Sequence, residues 1–240
     1  MSVADLGRYE MQHVSDLAGL CQLLNERRAD AAGVVLLAGG TDFLVQVSQG
    51  PPAAGPLPLV VDVSRMDELR GIALDGDTLR IGAATTYLDL QRHPLVIERA
   101  PLIERMTYDI GGPTIQARGT LGGNLATASP AADRVAAIAA FDPIIEVRSV
   151  RGSRRIAMAD LQLGYKKTSR EPDEAIVAIE LQLPPPGSPW CWRKVGTRMA
   201  QAISKVALAA VAQTDGARIT RFGAAMASVA PTTALLAATR

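Results

Sequence analysis

The sequence predicts an α+β fold built from small sheets and short helices. Three observations support this class: strand pairs joined by tight turns, amphipathic segments with helix caps, and no regular succession of strand, helix and strand along the 240 residues. Four prolines within residues 183–189 stiffen the chain and mark an internal boundary. We therefore expect at least three small sheets and two parts, residues 1–183 and 190–240. The first part is expected to have two lobes, about 1–58 and 59–183.

The first lobe begins with an amphipathic helix. Apolar side chains at helical spacing predict this helix over 14–29, with Ser15 or Asp16 as its cap. A stretch rich in proline and glycine at 50–58 predicts a loop. The strands around these features are predicted at Val34–Leu37 and Leu59–Val63.

The second lobe is predicted from turn and cap residues. Asp75-Gly76 at the centre of an alternating run predicts a hairpin over 72–81. Thr86 and Asp89 have the spacing of a capping box, which predicts a helix running toward His93. The remaining elements are predicted as helices from Pro101 to about Tyr108 and from Ala131 to Ala140, and as strands over 144–150 and 154–158.

The C-terminal segment carries two opposing signals. Residues 201–212 are rich in alanine, which favours a helix by propensity. Asp215-Gly216, however, lies between two apolar runs, and residues 218–222 alternate between polar and apolar side chains. We predict strands, because the turn and the alternation are typical of a hairpin.

Composition excludes several classes of function. A hydrophobic content of 48% with 20% charged residues is typical of a globular protein, and a formal net charge of +1 gives no electrostatic attraction to nucleic acid or to a membrane surface. The N-terminal residues lack a basic region followed by a long apolar run, and no stretch has the apolar length of a membrane span. We therefore expect a cytoplasmic protein that binds no nucleic acid.

The sequence offers neither a metal site nor a catalytic set of side chains. Cys21 and Cys191 are 170 positions apart, and His13 and His93 have no partnering cysteine or carboxylate motif. No arrangement of Ser, His and Asp or of Cys and His is evident. We expect no metal and no catalytic residue in this chain, so its chemistry must come from a bound cofactor.

Two glycine-rich stretches are the candidate cofactor site. Leu36–Leu44 has a Gly-Gly turn followed by Thr41 and Asp42 as potential helix caps. Arg118–Asp133 contains three glycines that allow positive φ and let backbone N–H groups close around a bulky anion. Either stretch alone is more often a tight turn, and neither contains the G-x-G-x-x-G pattern of a Rossmann fold. Together the two stretches predict a site that binds one long ligand from two sides.

These stretches resemble the two flavin-binding loops of the FAD-binding (medium) subunit of molybdenum hydroxylases, the group that includes xanthine dehydrogenase and carbon monoxide dehydrogenase. The likeness rests on A-G-G-T-D at 38–42 and T-L-G-G-N-L-A-T-A-S-P-A-A-D at 120–133. Gly164–Thr168 with Glu174 and Ile176, and then 193–203, resemble later segments of that family. The resemblance implies an FAD-binding domain of the vanillyl-alcohol-oxidase (PCMH) type, followed by a smaller α+β C-terminal domain that is shortened relative to the family.

The resemblance also implies roles for single residues. Residues 38–43 and 119–124 would wrap the pyrophosphate and ribityl chain, while Thr127 and Asp133 would bond hydroxylated parts of FAD. Ile176 would pack near the flavin ring, and Lys194 would lie near its pyrimidine end, where a cation stabilises reduced flavin. The phosphates would be met by the N–H groups of Gly39, Gly40, Gly119 and Gly123 and by the hydroxyls of Thr41 and Thr120. The expected cofactor-binding residues are Leu37, Ala38, Gly39, Gly40, Thr41, Asp42, Phe43, Gly119, Thr120, Gly122, Gly123, Asn124, Thr127, Asp133, Ile176 and Lys194.

One local departure from the family pattern stands next to the second stretch. The chain reads Ile115-Gln116-Ala117 where the family commonly reads Ile-Arg-Asn, so either the polar support of this loop or a contact with the partner is expected to differ.

The function implied is that of an electron-transfer subunit. A partner with 2Fe–2S clusters would deliver electrons from a large molybdopterin subunit to FAD, which would pass them to NAD or another acceptor, in a heterotrimer or its dimer. Two alternatives stay open at this point. One is a self-contained FAD-dependent oxidase or dehydrogenase, and the other is a non-catalytic nucleotide-binding or assembly module.

Overall fold

The structure is a computed structural model that describes residues 6–50, 55–198 and 202–236. Parts of the predicted loop 50–58 and of the segment 193–203, and the side chain of Asp133, lie outside this description. The strands are β1 Met11–His13, β2 Val34–Leu37, β3 Leu59–Asp62, β4 Ile72–Asp75, β5 Thr78–Gly82, β6 Ile144–Ser149, β7 Gly152–Ala157, β8 Gln162–Gly164, β9 Lys167–Thr168, β10 Ala175–Gln182, β11 Trp190–Gly196, β12 Ser204–Asp215, β13 Arg218–Ala227 and β14 Ala234–Leu236. The α-helices are α1 Leu17–Glu26, α2 Phe43–Ser48, α3 Tyr87–Arg92, α4 Pro94–Arg99, α5 Pro101–Thr107, α6 Pro113–Arg118, α7 Leu121–Thr127, α8 Asp133–Ala139 and α9 Met158–Leu161.

The strands of the described residues form four sheets, which confirms the α+β class. The first is a parallel sheet of order β1-β3-β2, and the second is an antiparallel sheet of order β4-β5-β10-β6-β7. The third is an antiparallel sheet of order β11-β12-β13-β14, and β8 with β9 makes a small hairpin. The candidate site lies where the loop after β2 of the parallel sheet meets α6 and α7, which connect β5 to β6 of the five-stranded sheet.

Helix α1 joins the parallel sheet to the five-stranded sheet. It begins where the side chain of Asp16 accepts a hydrogen bond from the Gly19 N–H at 2.7 Å, so Asp16 rather than Ser15 is the cap. Its buried face packs with β3 and with Ala175 and Val177 of β10 in one hydrophobic cluster. This packing fixes the position of β2, which leads into the first glycine-rich stretch.

Strand β10 is the central strand of the five-stranded sheet and changes face along its length. Ala175 and Val177 belong to the cluster around α1, whereas Ile176 and Ile179 belong to the larger core on the opposite face. A bulge between residues 176 and 178 inserts one residue and so reverses the alternation. Both faces of this strand are therefore covered, which agrees with its continuous apolar sequence.

The hairpin and cap predictions of the second lobe are confirmed, but the helices α4, α6, α7 and α9 were not predicted. Thr86 accepts from the Asp89 N–H at 3.1 Å while the Asp89 carboxylate accepts from the Thr86 N–H at 3.0 Å. Helices α4 and α6 begin at Pro94 and Pro113, positions at which proline is favoured because its missing N–H has no partner in the first turn.

The C-terminal segment forms strands, as predicted. Its alanines allow a helix to lie close to the sheet: Ala207, Ala209 and Ala225 are buried in the same core as α8. A Cβ atom at Gly223 of β13 would lie only 2.1 Å from the carbonyl oxygen of Ala140, which follows α8. Packing thus overrides the helix propensity of alanine. The division into parts 1–183 and 190–240, and into two lobes, stays a prediction.

The described residues contain no helix that is long and apolar enough to cross a membrane. Within the same residues, no group of three or more His, Cys, Asp or Glu side chains is arranged to hold a metal ion. Of the two cysteines, Cys21 is buried in α1 and Cys191 is exposed on β11.

Candidate cofactor-binding site

The two glycine-rich stretches touch each other through their backbones. A Cβ atom at Gly39 would lie 1.8 Å from the carbonyl oxygen of Arg118 and 3.0 Å from the backbone nitrogen of Gly119. Real Cβ atoms do not approach backbone atoms so closely, so only glycine fits at position 39. The structure therefore brings together the two stretches that the sequence separates by some eighty residues.

The first stretch follows the carboxyl end of β2 and presents unused backbone donors. Gly40 has a φ of +74°, and its carbonyl accepts the N–H of Leu44 at 2.9 Å. Within the described part of the chain, the N–H groups of residues 39–43 donate to no other group. The loop before α2 and the start of this helix thus carry five consecutive N–H groups that an anion can use.

The predicted caps of α2 are only partly right. Asp42 occupies the N-cap position, but its side chain makes no capping bond and instead accepts from Gln46 Nε2 at 2.7 Å. Thr41 is not the capping residue, although it is partly buried beside the N–H groups. Of the flanking residues, Leu37 accepts the Val63 N–H at 3.0 Å and the Phe43 ring packs edge-on against Tyr9. Ala38 packs against the cluster around α1.

The second stretch does not have the conformation predicted for it. Gly119 has a φ of −63°, and Gly122 and Gly123 lie inside α7, so none of the three uses positive φ. Glycine is required here for space: a Cβ at Gly119 would lie 2.7 Å from Tyr87 Cε2, and one at Gly122 would lie 2.5 Å from Ala83 Cβ. These residues allow α7 to pack closely on β5 and α3.

The backbone donors of this stretch are also used inside the protein. The Gly119 N–H donates to the Ile115 carbonyl at 2.7 Å, and the Gly122 N–H donates to the Ala83 carbonyl at 2.8 Å. The Gly123 N–H donates at 3.2 Å to Thr120 Oγ1, which caps α7. The prediction that the N–H groups of Gly119 and Gly123 are free to meet phosphates is therefore wrong. The second stretch therefore serves as a hydrogen-bonded platform, and the N–H groups that have no acceptor among the described residues belong to the first stretch.

Helix α7 nevertheless presents an unsatisfied polar atom. The Oδ1 atom of Asn124 is buried and has no hydrogen-bond partner among the described residues. One turn further, Thr127 Oγ1 donates to the Gly123 carbonyl at 3.0 Å, which leaves its oxygen able to accept. A buried acceptor without a donor is costly, so Asn124 calls for a ligand with hydroxyl or N–H groups. Asp133 begins α8 nearby in sequence, but its side chain is outside the described part.

The two remaining predicted residues lie at different ends of this region. Ile176 is 7% exposed at the bulge of β10, and its neighbour Val177 accepts the Ala83 N–H at 2.8 Å, so Ile176 lies near the base of α7. Lys194 Nζ donates to the Asp109 carbonyl at 2.9 Å, ahead of the first turn of α6. Six helical residues span about 9 Å, so Lys194 is bonded at the end of α6 opposite to the glycine contact.

Tyr87 is a further residue of this region that the sequence did not reveal. It is fully buried at the start of α3, and its hydroxyl donates to the Thr120 carbonyl at 2.8 Å. The capping box at Thr86 places Tyr87 at the first helical position, but no sequence signal shows that α3 packs against the second stretch. A Thr86–Thr120 β-bridge joins the same two segments.

The altered residue at position 116 gives α6 polar support within the chain. Gln116 Nε2 donates to the Ile110 carbonyl at 2.9 Å, and its Oε1 accepts from Gln91 Nε2 at 3.1 Å. These two hydrogen bonds hold α6 against α3 and against the turn that precedes α6. Hydrogen bonds within this chain therefore hold α6, whose last residue, Arg118, contacts Gly39.

A buried charge cluster anchors the start of β10. Asp173 and Glu174 are each 3% exposed, and Arg154 donates to the Glu174 carboxylate from Nε at 2.9 Å and from Nη2 at 2.7 Å. The hydrogen bond from Arg151 lowers the pKa of Asp173. Burial acts to raise the pKa of Glu174, but the hydrogen bonds from Arg154 and the Glu171 N–H outweigh it, so this pKa is lowered as well. Ionised carboxylates hold the turn two residues before Ile176.

Comparison with known proteins gives a consistent result. The family described as "FAD binding domain in molybdopterin dehydrogenase" matches residues 7–184. The putative xanthine dehydrogenase FAD-binding subunit of Escherichia coli K12 is 33% identical over 208 residues, which cover 85% of this chain and 70% of the relative. The carbon monoxide dehydrogenase medium chain of Hydrogenophaga pseudoflava is 30% identical over 225 residues, covering 94% of this chain and 76% of the relative. The nicotinate dehydrogenase FAD-subunit of Eubacterium barkeri is 28% identical over 187 residues, and the chain spans 62% of its length.

The fold agrees with these sequence relationships. A solved structure of carbon monoxide dehydrogenase from Hydrogenophaga pseudoflava superimposes with a TM-score of 0.87 at 28% identity, covering 95% of this chain and 77% of the other. The predicted family and the FAD-binding fold are thereby confirmed. The chain belongs to the family of FAD-binding domains in molybdopterin dehydrogenases, as an oxidoreductase component of the molybdenum hydroxylase type.

Proposed function

We propose that this chain is the FAD-carrying electron-transfer subunit of a molybdenum hydroxylase complex. The observation that carries the proposal is the backbone contact between Gly39 and Arg118, which places a row of free N–H groups next to a helix with an unsatisfied amide oxygen. FAD has both a doubly charged pyrophosphate and hydroxylated parts. Its two kinds of polar group match these two features of the chain.

The first stretch would hold the pyrophosphate. Five N–H groups at residues 39–43, in the loop before α2 and at its start, have no acceptor among the described residues and would donate to the phosphates. Each charge-assisted hydrogen bond contributes about 1.5–3 kcal/mol, so several together hold a cofactor without a covalent link. Leu37 and Ala38 fix this loop to the sheet, while Thr41, Asp42 and Phe43 shape its outer wall.

The second stretch would form the floor of the site. Gly119, Thr120 and Gly122 keep α7 packed against α3 and β5, and Gly123 leaves its exposed surface free of a side chain. Asn124 Oδ1 would accept from a hydroxyl or N–H group of the cofactor, which satisfies the buried oxygen. Thr127 and Asp133 would bond further hydroxyls on the same side of α7 and α8.

Ile176 and Lys194 are proposed to act on the flavin itself. Ile176 would offer an apolar surface for the ring. Lys194 would supply a positive charge near the pyrimidine end, held in place by its bond to the Asp109 carbonyl. Bound flavin supplies chemistry that amino-acid side chains lack, since it takes up and releases electrons either singly or in pairs.

The names of the relatives, which are FAD subunits and medium chains, support the proposal that this chain works with partner subunits. Electrons would come from 2Fe–2S clusters of an iron–sulfur subunit, after substrate oxidation at a large molybdopterin subunit. They would leave to NAD or another acceptor. We propose a cytoplasmic heterotrimer or its dimer for the whole complex.

The proposal is tested by purifying the chain alone and together with the proteins that assemble with it. The isolated chain is expected to bind FAD that acid precipitation releases, and to oxidise no organic substrate. The complex is expected to contain molybdenum and iron and to turn over a substrate with reduction of the acceptor. Substrate oxidation by the isolated chain at an ordinary enzymatic rate of about 1–10³ s⁻¹ would contradict the proposal and point to a self-contained oxidase.

A further inference from the structure

Tyr87 connects α3 to the platform formed by the second glycine-rich stretch. Its hydroxyl donates to the Thr120 carbonyl at 2.8 Å, and its backbone N–H donates to the Gly119 carbonyl at 3.1 Å. Its ring occupies the space in which a Cβ atom at Gly119 would stand, 2.7 Å from Tyr87 Cε2. One fully buried side chain thus contacts both residues that precede α7.

Arg134 of α8 fixes the direction of the Tyr87 hydroxyl. Arg134 Nη1 lies 2.6 Å from the hydroxyl oxygen, and its guanidinium carbon lies 4.8 Å from the centre of the ring. Because a guanidinium group can only donate, the hydroxyl hydrogen must be directed at the Thr120 carbonyl. Burial raises the pKa of Tyr87, although Arg134 opposes this, so the hydroxyl keeps its proton at neutral pH.

The Thr120 carbonyl connects Tyr87 to Asn124 by hydrogen bonds. The same oxygen accepts the Asn124 N–H at 3.2 Å, while Thr120 Oγ1 accepts the Gly123 N–H. Thr120 is therefore held by bonds from α3 on one side and bonds within α7 on the other. The residue at the end of this series is Asn124, whose Oδ1 atom is buried without a partner among the described residues.

We infer that Tyr87 and Arg134 are positioning residues that set the affinity for FAD by holding the first turn of α7 in its binding geometry. The inference rests on the proposed function. Without the Tyr87 hydroxyl, the buried Thr120 carbonyl loses a donor, and the turn that carries Asn124 relaxes. FAD then has to restore the order of this turn on binding, which weakens binding even if the protein still folds.

The test measures FAD binding by the quenching of flavin fluorescence when unliganded protein is titrated with FAD. Tyr87→Phe is expected to raise the dissociation constant about tenfold, equivalent to about 1.4 kcal/mol, because it removes one buried hydrogen bond. Arg134→Met is expected to raise it by a similar factor. The double variant is expected to be no weaker than the worse single variant, since both substitutions break the same series of bonds.

A control variant separates positioning from general stability. Thr107→Val removes another fully buried hydroxyl, which bonds the Glu104 carbonyl within α5. It is expected to lower the thermal midpoint and leave the dissociation constant unchanged. Tyr87→Phe or Arg134→Met with a lower midpoint but the wild-type dissociation constant would overturn the inference. If Tyr87→Phe does not fold, Arg134→Met decides alone, and a wild-type chain that binds no FAD would count against the proposed function instead.

Discussion

Gly39 and Arg118 form a contact that tolerates no side chain: a Cβ atom at position 39 would stand 1.8 Å from the Arg118 carbonyl oxygen. Gly39 lies two residues after the end of β2 in the parallel sheet, and Arg118 is the last residue of α6. The two halves of the proposed FAD site therefore meet at one pair of backbones. Any substitution that separates these backbones also separates the free N–H groups from α7.

Gly39→Ala is expected to abolish FAD binding and to destabilise the protein. The added methyl group meets the backbone of Arg118 and Gly119 and cannot be accommodated by a rotamer change, and overpacking of this kind costs about 1–3 kcal/mol. Gly164→Ala is a suitable control, because no atom lies within 4 Å of the place that its Cβ would occupy and its φ is not positive. Fluorescence titration and thermal unfolding measure both effects, and wild-type affinity in Gly39→Ala would remove this contact from the site.

Asn124→Ala is expected to weaken FAD binding about tenfold without loss of stability in the unliganded protein. The substitution removes a buried oxygen that has no partner among the described residues and replaces asparagine by a better helix former, so the free energy of unfolding should stay equal or rise. Gln22→Ala, at an exposed position of α1, controls for the gain in helix propensity. An unchanged dissociation constant would show that the Asn124 amide does not face the cofactor.

The buried carboxylates at the start of β10 predict a loss of stability in acid. Asp173 and Glu174 have lowered pKa values in the folded protein, so they bind protons more readily when unfolded. Their contribution is fully present above the ordinary values of 3.8 and 4.5 and is lost as the pH falls from there toward the folded values. Denaturant unfolding between pH 7 and pH 3 is expected to show this decline.

Glu174→Gln tests the origin of that decline. It is expected to be less stable than the wild type at pH 7, by about 1–3 kcal/mol for the lost charged hydrogen bonds, and to lose less stability in acid. Glu26→Gln at the end of α1 gives a charge-matched control away from the cluster. The same acid dependence in Glu174→Gln and the wild type would assign the decline to other groups.

Lys194→Met is expected to lower the midpoint potential of bound flavin. Removal of a positive charge near the pyrimidine end makes the negatively charged reduced form less favourable. A loss of about 1.4–2.8 kcal/mol corresponds to about 30–60 mV for a two-electron couple. Lys205→Met, at an exposed position of β12, is the control. Equal potentials in Lys194→Met and the wild type, measured by dye equilibration, would place Lys194 away from the ring.

Elements defined by local chemistry could be predicted from the sequence. Asp75-Gly76, the Thr86–Asp89 capping box and the cap at Asp16 each satisfy backbone groups within a few residues, and all three occur in the structure. The strand preference of the C-terminal segment also came from a local turn signal at Asp215-Gly216. Such features depend little on distant parts of the chain, which is why local reasoning suffices for them.

Features defined by distant contacts could not be predicted. Gly122 and Gly123 argue against a helix by propensity, yet both lie in α7. At Gly122 the reason is a distant contact, since a Cβ there would stand 2.5 Å from Ala83 Cβ. The run Ala-Ile-Val-Ala-Ile of β10 has no alternation, so its bulge at 176 is invisible in the sequence. The position of Tyr87 under Thr120 likewise depends on how α3 packs.

The close approach of Gly223 to the Ala140 carbonyl has a consequence for the exposed proline linker at 185–187. The C-terminal sheet and α8 share one hydrophobic core with the five-stranded sheet, although the linker looks like a place to divide the chain. A cut at the linker would leave each fragment with one side of that core, so either fragment alone would expose apolar surface. Because α8 precedes the linker and the C-terminal strands follow it, exchange of the strands alone would place foreign side chains against α8, and its partners on β12 and β13 would have to be exchanged together with matching residues on α8.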